Sequence, residues 1–386
     1  ALWLSLMFVP SLKPAFYIDN DNDFRDLMSQ LGRQPVIGID TEANSLHAYR
    51  EQVCLIQIST RTDDYIIDPF AIDDIQPFGD VLANPKVEKI FHAVGYDLVC
   101  LKRDYGFDVV HVFDTMAAAR VCGYTAVGLG NMLKQVFGVH LSKKHQRDNW
   151  AKRPLSASKL RYAQLDTHYL IPLRDHLYQE LLQKGRLEEA YEFFEDVIAV
   201  GDIGPREFDP DDFWRLGIPN NLNRQQLAVL RSIFILRDKI ARERNRPPFK
   251  ILTNAALIEI AREMPSTRSQ LHQVHGVSAM QVRRYGDALL QAIAEGRDQP
   301  LPRRPRHDPP DPVLAGRFSV LYDWRKQKAR ERGVDADVII SKQTLWALAT
   351  ELPRDMEELA QIEGLGPWRC RNYGAELLEI VARFSS

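Results

Sequence analysis

The sequence predicts an α/β domain with a mixed sheet flanked by helices, followed by two all-α helical bundles. Three observations carry that prediction. In the first 200 residues, "PVIGID", "VCLIQIS" and "DYIID" are short β-rich runs in quick succession, which reads as an antiparallel meander. "EKIFHA" and "VVHVFD" then alternate with helical stretches, so strand–helix units follow the meander. Next, "ARERNRPPFKILTNAALIEIAREMP" from Ala241 returns as "ARERGVDADVIISKQTLWALATELP" from Ala329, a gap-free register of 88 residues that pairs Leu271 with Leu359, Gly276 with Gly364 and Arg283 with Arg371. Both copies place apolar residues at helical spacing and stop a helix at a proline. Between them "QPLPRRPRHDPPDP" is too rich in proline for regular structure and reads as a stiff spacer. The expected boundaries are residues 1–205 for the α/β domain, 206–298 for the first helical module, 299–312 for the spacer and 313–386 for the second module.

Composition narrows the class. With 45% hydrophobic and 26% charged residues the chain can bury a core. Cys54, Cys100, Cys122 and Cys370 form no C-x-x-C pair and no finger-spaced cluster with histidine, which excludes a disulfide framework and a zinc finger and suits reduced thiols in the cytoplasm. The opening "ALWLSLMFVP" is too short to cross a bilayer and lacks the features of a signal peptide, so neither export nor a membrane is expected. Net charge is only −2, but it is uneven: residues 1–200 carry 21 Lys and Arg against 27 Asp and Glu, and the remainder 29 against 25. An acidic half joined to a basic half suits a metal-holding domain beside a phosphate-contacting one.

The acidic candidates are few. Asp40 and Glu42 end the run "VIGID" one residue apart, and on an extended chain residues two apart project to the same side, so both can reach one cation. Asp97 in "KIFHAVGYDLVCL" follows an apolar strand and opens a helical pattern. Tyr162 and Asp166 in "LRYAQLDTHYLIPL" are four apart, on one face of a helix. Each element alone is commonplace: a turn cluster, a helix-start carboxylate, a surface pair.

Together, Asp40, Glu42, Asp97, Tyr162 and Asp166 resemble the DEDDy signature of 3′–5′ exonucleases. The surrounding "CLIQIST", "FHAVGYDLVCL", "HQRDNWAKRPL" and "YAQLDTHYL" are similar to ribonuclease D and its nuclear-exosome relatives, and the paired modules resemble HRDC domains. The resemblance implies a ribonuclease H-like exonuclease domain and two divalent metal ions, Mg²⁺ or Mn²⁺. By similarity Asp40 bridges the ions, Glu42 and Asp166 complete the first site, and Asp97 holds the second. Tyr162 then orients the attacking water, because a phenol is a poor base at neutral pH. His168 lies after Asp166 instead of before it and is taken as structural. The family often has a bulky residue after the glutamate, whereas Ala43 and Asn44 stand here, leaving Leu46, His47 or Tyr49 to stack on the terminal base.

For the substrate strand, "LSKKHQRDNWAKRP" offers Lys143, Lys144, Arg147, Lys152 and Arg153 around Trp150, a pattern of charge and stacking face that suits single-stranded nucleic acid. Gln146 and Trp150 match the family's Q-x-x-x-W element, and His92 in "FHAVGYD" belongs with them. The modules add Arg237, Lys239, Arg242, Arg244, Arg246 and Lys250, then Arg325, Lys326, Lys328, Arg330 and Arg332, as grips for folded RNA. The turns "HGVSAMQVRRYG" and "EGLGPWRCRNYG" offer helix starts that can hold a phosphate. The expected activity is trimming of 3′ ends of structured RNAs such as tRNA precursors, by a cytoplasmic monomer. A DNA exonuclease of the proofreading or helicase-associated type shares the four carboxylates, and a silent RNA-binding scaffold is the reading from another class.

Overall fold

The computed structural model describes residues 11–199, 208–300, 302 and 311–384. The apolar opening through residue 10, most of the proline spacer and the boundary near residue 205 lie outside the described residues. Six described strands form one mixed sheet: β1 (Phe16–Ile18), β2 (Val36–Ala43), β3 (Val53–Ser59), β4 (Asp64–Ile67), β5 (Glu88–Phe91) and β6 (Val112–Asp114), in the order β1-β4-β3-β2-β5-β6. The expected meander is present as the antiparallel pairs β2–β3 and β3–β4, and the strand–helix units add β5 and β6 in parallel.

Around the sheet run α1 (Asp21–Leu31), α2 (Gln76–Leu82), α3 (Gly95–Tyr105), α4 (Thr115–Cys122), α5 (Leu129–Phe137), α6 (Ala157–His168), α7 (Leu170–Gln183) and α8 (Leu187–Ala199). α1 shows why they dock. Its start is capped by Asn20, and Phe24, Leu27, Met28 and Leu31 recur at helical spacing and are buried, each worth roughly 1.5–3 kcal/mol relative to exposure. They join Ile37, Ile39, Ile56 and Ile58 of the sheet and Leu98 and Leu101 of α3 in one core. The opposite face, with Val36 and Ile90, packs on α4, α7 and α8. Among the described residues no helix is long and apolar enough to cross a membrane.

The helical repeats keep their register in three dimensions. The first holds α9 (Arg224–Glu243), α10 (Pro248–Ile251), α11 (Asn254–Glu263), α12 (Arg268–Gln273) and α13 (Ala279–Asp298). The second holds α14 (Pro312–Arg332), α15 (Ala336–Ile339), α16 (Lys342–Glu351), α17 (Met356–Leu359) and α18 (Pro367–Ala382). Each helix of the second starts 88 residues after its counterpart, as Pro312 follows Arg224 and Pro367 follows Ala279. Gly276 and Gly364 both sit at positive φ, 84° and 79°, where a side chain would be strained. The described residues within 1–43, 53–204 and 309–386 form one compact unit, and those within 44–52 and 205–308 form another. The second repeat thus shares a unit with the sheet.

Several basic residues expected to grip RNA are structural instead. Arg237 is 6% and Arg325 3% exposed; they are equivalent in the repeat, and each donates to a backbone carbonyl, of Leu252 and of Ile340. Arg332 makes a two-pronged ion pair with Glu189 of α8, both bonds 2.6 Å; Arg242 pairs with Asp238 and with the hydroxyl of Tyr49 but stays exposed. Neither turn is open to a phosphate. In the first, Ser278 and Gln281 close a capping box over the start of α13. In the second, Glu192 of α8 accepts from the backbone N–H groups of Trp368 (2.8 Å) and Arg369 (3.3 Å). Gly366 leaves room for this contact, since a Cβ there would come within 2.3 Å of the Glu192 carboxylate and displace it from the helix start.

Candidate active site and metal centre

β2 sends Ile37, Ile39 and Thr41 to one side of the sheet and Val36, Gly38, Asp40 and Glu42 to the other. Gly38 lets α7 close on that second side: a Cβ there would stand 3.2 Å from Cβ of Leu170. Pairing with β3 is regular through Asp40–Gln57 and Glu42–Leu55, then shifts between Glu42 and Ala43, a bulge at the rim of the site. α6 lies over this side and carries Tyr162 and Asp166 on one face. One oxygen each from Asp40, Glu42 and Asp166 lies within 4.8 Å of the others. Asp97 enters from the first turn of α3 on the other side of the sheet. Its Oδ1 accepts from the Thr41 N–H (3.1 Å) and hydroxyl (2.5 Å), so the residue between the two carboxylates of D-x-E aims the third.

This concentration of acid is electrostatically costly. Burial, then the charges of Asp97, Asp166 and Glu42, push Asp40 well above the usual carboxylate range. Burial and the charges of Asp166 and Asp97 push Glu42 up to about 9, with the Lys159 ammonium opposing. Burial raises Asp97 to about 7 and Asp166 to about 7. Such a set is uncomfortable as four anions and suited to a hard divalent cation, whose ligands are carboxylate oxygens. The donor set therefore fits the metal the fold implies. Burial and the charges of Asp166, Glu42 and Asp40 push the Tyr162 hydroxyl far above the ordinary phenol range, which excludes it as a base at neutral pH.

α6 has only a weak apolar stripe, and a buried polar network holds it. Asp64 of β4 accepts from Ser59 (2.6 Å) and Gln164 (2.7 Å) and pairs with His168 Nδ1 (2.7 Å), while the Ser59 hydroxyl oxygen accepts from that of Thr167 (2.7 Å). Burial works to raise Asp64, but hydrogen bonds from His168, Ser59 and Gln164 outweigh it and hold the carboxyl below its usual range. His168 is therefore an anchor of the helix. Sequence reasoning missed Thr41 and Asp64; the one available signal was a polar residue inside each β-rich run.

The substrate loop divides. Lys143, Lys144, Gln146 and Arg147 are exposed, and a cavity of about 230 Å³ beside Tyr162 and Asp166 is lined by Lys144, His145 and Arg161. Trp150, expected to offer a stacking face, is only 1% exposed and packs against Tyr162, with ring centroids 6.0 Å apart and Lys159 Nζ 5.3 Å from its ring. Arg153 is likewise withdrawn from the track: its guanidinium binds Asp68 and the carbonyls of Cys54 and Trp150, stapling the loop to the sheet. His92 Nδ1 is 2.9 Å from the Thr115 hydroxyl, and burial lowers its pKa, so the ring is neutral. Of the residues expected to replace the family's bulky side chain, Tyr49 is bound to Asp238 (2.7 Å) and His47 to Lys250 (3.2 Å), and Leu46 is 40% exposed; all three belong to the unit that holds the first repeat.

The chain is similar to known proteins along most of its length. A family model described as 3′–5′ exonuclease matches residues 15–182, and the HRDC domain model matches twice, at 226–293 and 315–381. The chain is 30% identical to a ribonuclease D of Gluconacetobacter diazotrophicus, covering 94% of this chain and 92% of that one. Among solved structures, Escherichia coli RNase D, described as an exoribonuclease involved in structured RNA processing, superposes with a TM-score of 0.69 at 25% identity, covering 96% of this chain and 99% of that one. The catalytic core of RRP6 from Trypanosoma brucei gives 0.66 at 28% identity, over 77% and 85%.

Proposed function

The chain belongs to the ribonuclease D family and is a 3′–5′ exoribonuclease, and from that premise we propose that it trims the 3′ ends of structured RNAs, tRNA precursors foremost, releasing nucleoside 5′-monophosphates. The observation that carries this reading is the convergence of Asp40, Glu42 and Asp166 beside Tyr162. Asp40, Glu42 and Asp166 would hold one Mg²⁺ or Mn²⁺, and Asp40 with Asp97 a second. When bound, such ions lower the pKa of water and neutralise charge on the phosphodiester and the leaving oxygen.

The protein's own groups do the rest. Thr41 fixes the Asp97 carboxylate, and the Asp64 network fixes α6, which supports a preorganised set of Asp40, Glu42 and Asp166 with Asp97 held beside it. Tyr162 keeps its proton and donates a hydrogen bond that orients the attacking water. Replacing Tyr162 with Phe therefore lowers kcat about 100-fold, a typical cost of losing orientation, and leaves Mn²⁺ affinity unchanged. Single-turnover cleavage together with titration calorimetry checks both halves. A loss of Mn²⁺ affinity would instead make the tyrosine a support for the ligands.

Lys144 beside the cavity, with exposed Lys143, Gln146 and Arg147 on the same loop, would bind the phosphates of the 3′ tail, and His92, held by Thr115, would contact the substrate as a neutral ring. Exposed Lys239, Arg244 and Arg246 are available to the body of the RNA. The four cysteines, all free and buried, suit a reducing cytoplasm, and we take the working form as a monomer. The decisive assay compares a tRNA carrying extra 3′ nucleotides with a matched single-stranded DNA, both labelled at the 5′ end, with Mg²⁺ or Mn²⁺ and with EDTA as control. A metal-dependent ladder shortening the tRNA from its 3′ end supports the reading; shortening of DNA alone refutes it, as does RNA bound without cleavage.

A further inference from the structure

Gln57 has no role in the reading above, yet it stands at the centre of the site. It lies on β3 directly opposite Asp40 on β2. Opposed residues of an antiparallel pair project to the same face with Cβ atoms about 4.5–5.5 Å apart, so its carboxamide sits beside the Asp40 carboxylate, beneath α6. It is 0% exposed, and neither its Nε2 nor its Oε1 has a hydrogen-bond partner. The contrast with its surroundings is sharp. Ser59, two residues on, and Gln164 and His168 of α6 all have their partners in the Asp64 network.

More than nine in ten buried polar groups are paired in native proteins, and an orphan costs free energy that an apolar residue of the same shape would not. The neighbouring cluster of Cys54, Leu55, Ile66, Trp150 and Ala163 is buried and apolar apart from the Trp150 Nε1, which also has no partner, so no hydrogen bond of the metal-free fold accounts for the amide. The one neighbour whose demand for a donor changes with the state of the enzyme is Asp40.

We propose that Gln57 is a positioning residue of the metal centre: with the ion bound, its Nε2–H donates to the Asp40 carboxylate and fixes the orientation in which that carboxylate faces the ion. The role rests on the assignment of Asp40, Glu42 and Asp166 as metal ligands. Residues that orient a ligand from behind typically alter metal affinity by about 10- to 100-fold when lost.

The test uses the full chain and Gln57→Met, which keeps length and volume but has no amide. Two quantities are read: the melting temperature in EDTA, and the Mn²⁺ dissociation constant from calorimetry or from the spectrum of free Mn²⁺. The expected result is a melting temperature equal to or above wild type, with a Kd for Mn²⁺ raised at least about tenfold. Gln164→Met is the opposite control, since the Gln164 amide N–H groups are paired in the network that holds α6: it melts earlier in EDTA than wild type.

An unchanged Kd in Gln57→Met overturns the proposal and leaves the metal ligands standing. A marked fall in melting temperature in EDTA, repeated by Gln57→Leu, also overturns it, because the amide would then serve the metal-free fold. Failure of the wild-type chain to bind Mn²⁺, or Mn²⁺ affinity indifferent to Asp166→Asn, takes down the ligand assignment and this role with it.

Discussion

Asp166→Asn abolishes cleavage and makes the metal-free protein more stable. Loss of activity follows from the loss of a ligand: removing one preorganised charge at a reacting centre typically costs about 10²–10³-fold, and here the ion itself is released, so a fall of at least about 10³-fold in kcat/KM is expected. The gain in stability follows from the same geometry. In an unfolded chain the acids titrate near 4. In the fold, burial lifts Asp166 and Asp97 to about 7, and burial with their charges lifts Glu42 to about 9.

Between those values the native state binds more protons than the unfolded state, so stability in EDTA falls as pH rises from about 4 to about 9. Asp166→Asn removes one of these protonation costs and one repulsion on its neighbours. A three-unit lift corresponds to about 4 kcal/mol at 1.36 per unit; shared among coupled acids in a polarisable site, a gain on the order of 2 kcal/mol at pH 8 is expected. At pH 5 the gain shrinks, because the native carboxyls are then mostly protonated. Urea unfolding in EDTA at both pH values checks this, and equal stability at pH 8 would mean that the cluster carries no such strain. With Mn²⁺ present the order reverses. Only wild type gains binding energy, and its gain grows with pH as the ligands release protons.

How much of this was legible in the sequence depends on the range of the interaction that positions each residue. Asp40 and Glu42 share a face because strands have period two, and Tyr162 and Asp166 because helices bring residues four apart together; both are local rules, and their consequences hold here. The 88-residue register is local arithmetic too, and it survives even in the pair of positive-φ glycines, Gly276 and Gly364. Trp150 and Arg153 were misread because composition describes a segment while burial is decided by what comes to cover it. Tyr162 and Lys159 cover the indole, and Asp68 and the Cys54 carbonyl capture the guanidinium.

A clue did exist for Arg237 and Arg325. They occupy the same repeat position within "IFILRDKIA" and "VLYDWRKQKA", on the apolar side of the helix, and an arginine kept on such a stripe in both copies is more simply a packing residue that reaches a carbonyl. The Glu192 cap on α18 had no local signal at all. Its donor and acceptor are 176 residues apart, and the chain records it only as the replacement of Ser278 by Gly366 in the repeat.

That replacement leads to the second large effect, Arg369→Ala. In the first repeat the helix start is self-sufficient: Ser278 and Gln281 cap each other, and the Gln281 amide also donates to the carbonyl of Ile251. The second repeat has Gly366 and Arg369 at the equivalent positions. The cap now comes from Glu192, and Arg369, 1% exposed, pairs with Asp196 at 2.7 Å while donating to the carbonyls of Gly364 (3.1 Å) and Val338 (3.4 Å). Gly366 admits the carboxylate and Arg369 neutralises it, so each substitution depends on the other. Removing the guanidinium leaves Glu192 and Asp196 facing one another and two carbonyls without donors. Breaking a buried ion pair from one side typically costs about 3–5 kcal/mol, and that loss is expected at the junction between α8 and α18. Glu192→Gln keeps an oxygen acceptor for the helix start and is expected to cost about half as much or less. Trp324, Trp346 and Trp368, three of the six tryptophans, lie in the second repeat, so fluorescence during urea unfolding of a Trp150→Phe, Trp214→Phe background is weighted towards this junction. The Arg369→Ala fluorescence transition should move to lower urea and separate from the loss of helix over the whole chain followed by circular dichroism. A transition unchanged in midpoint would mean that Arg332 with Glu189 and Arg371 with Glu188 suffice to hold the repeat in place.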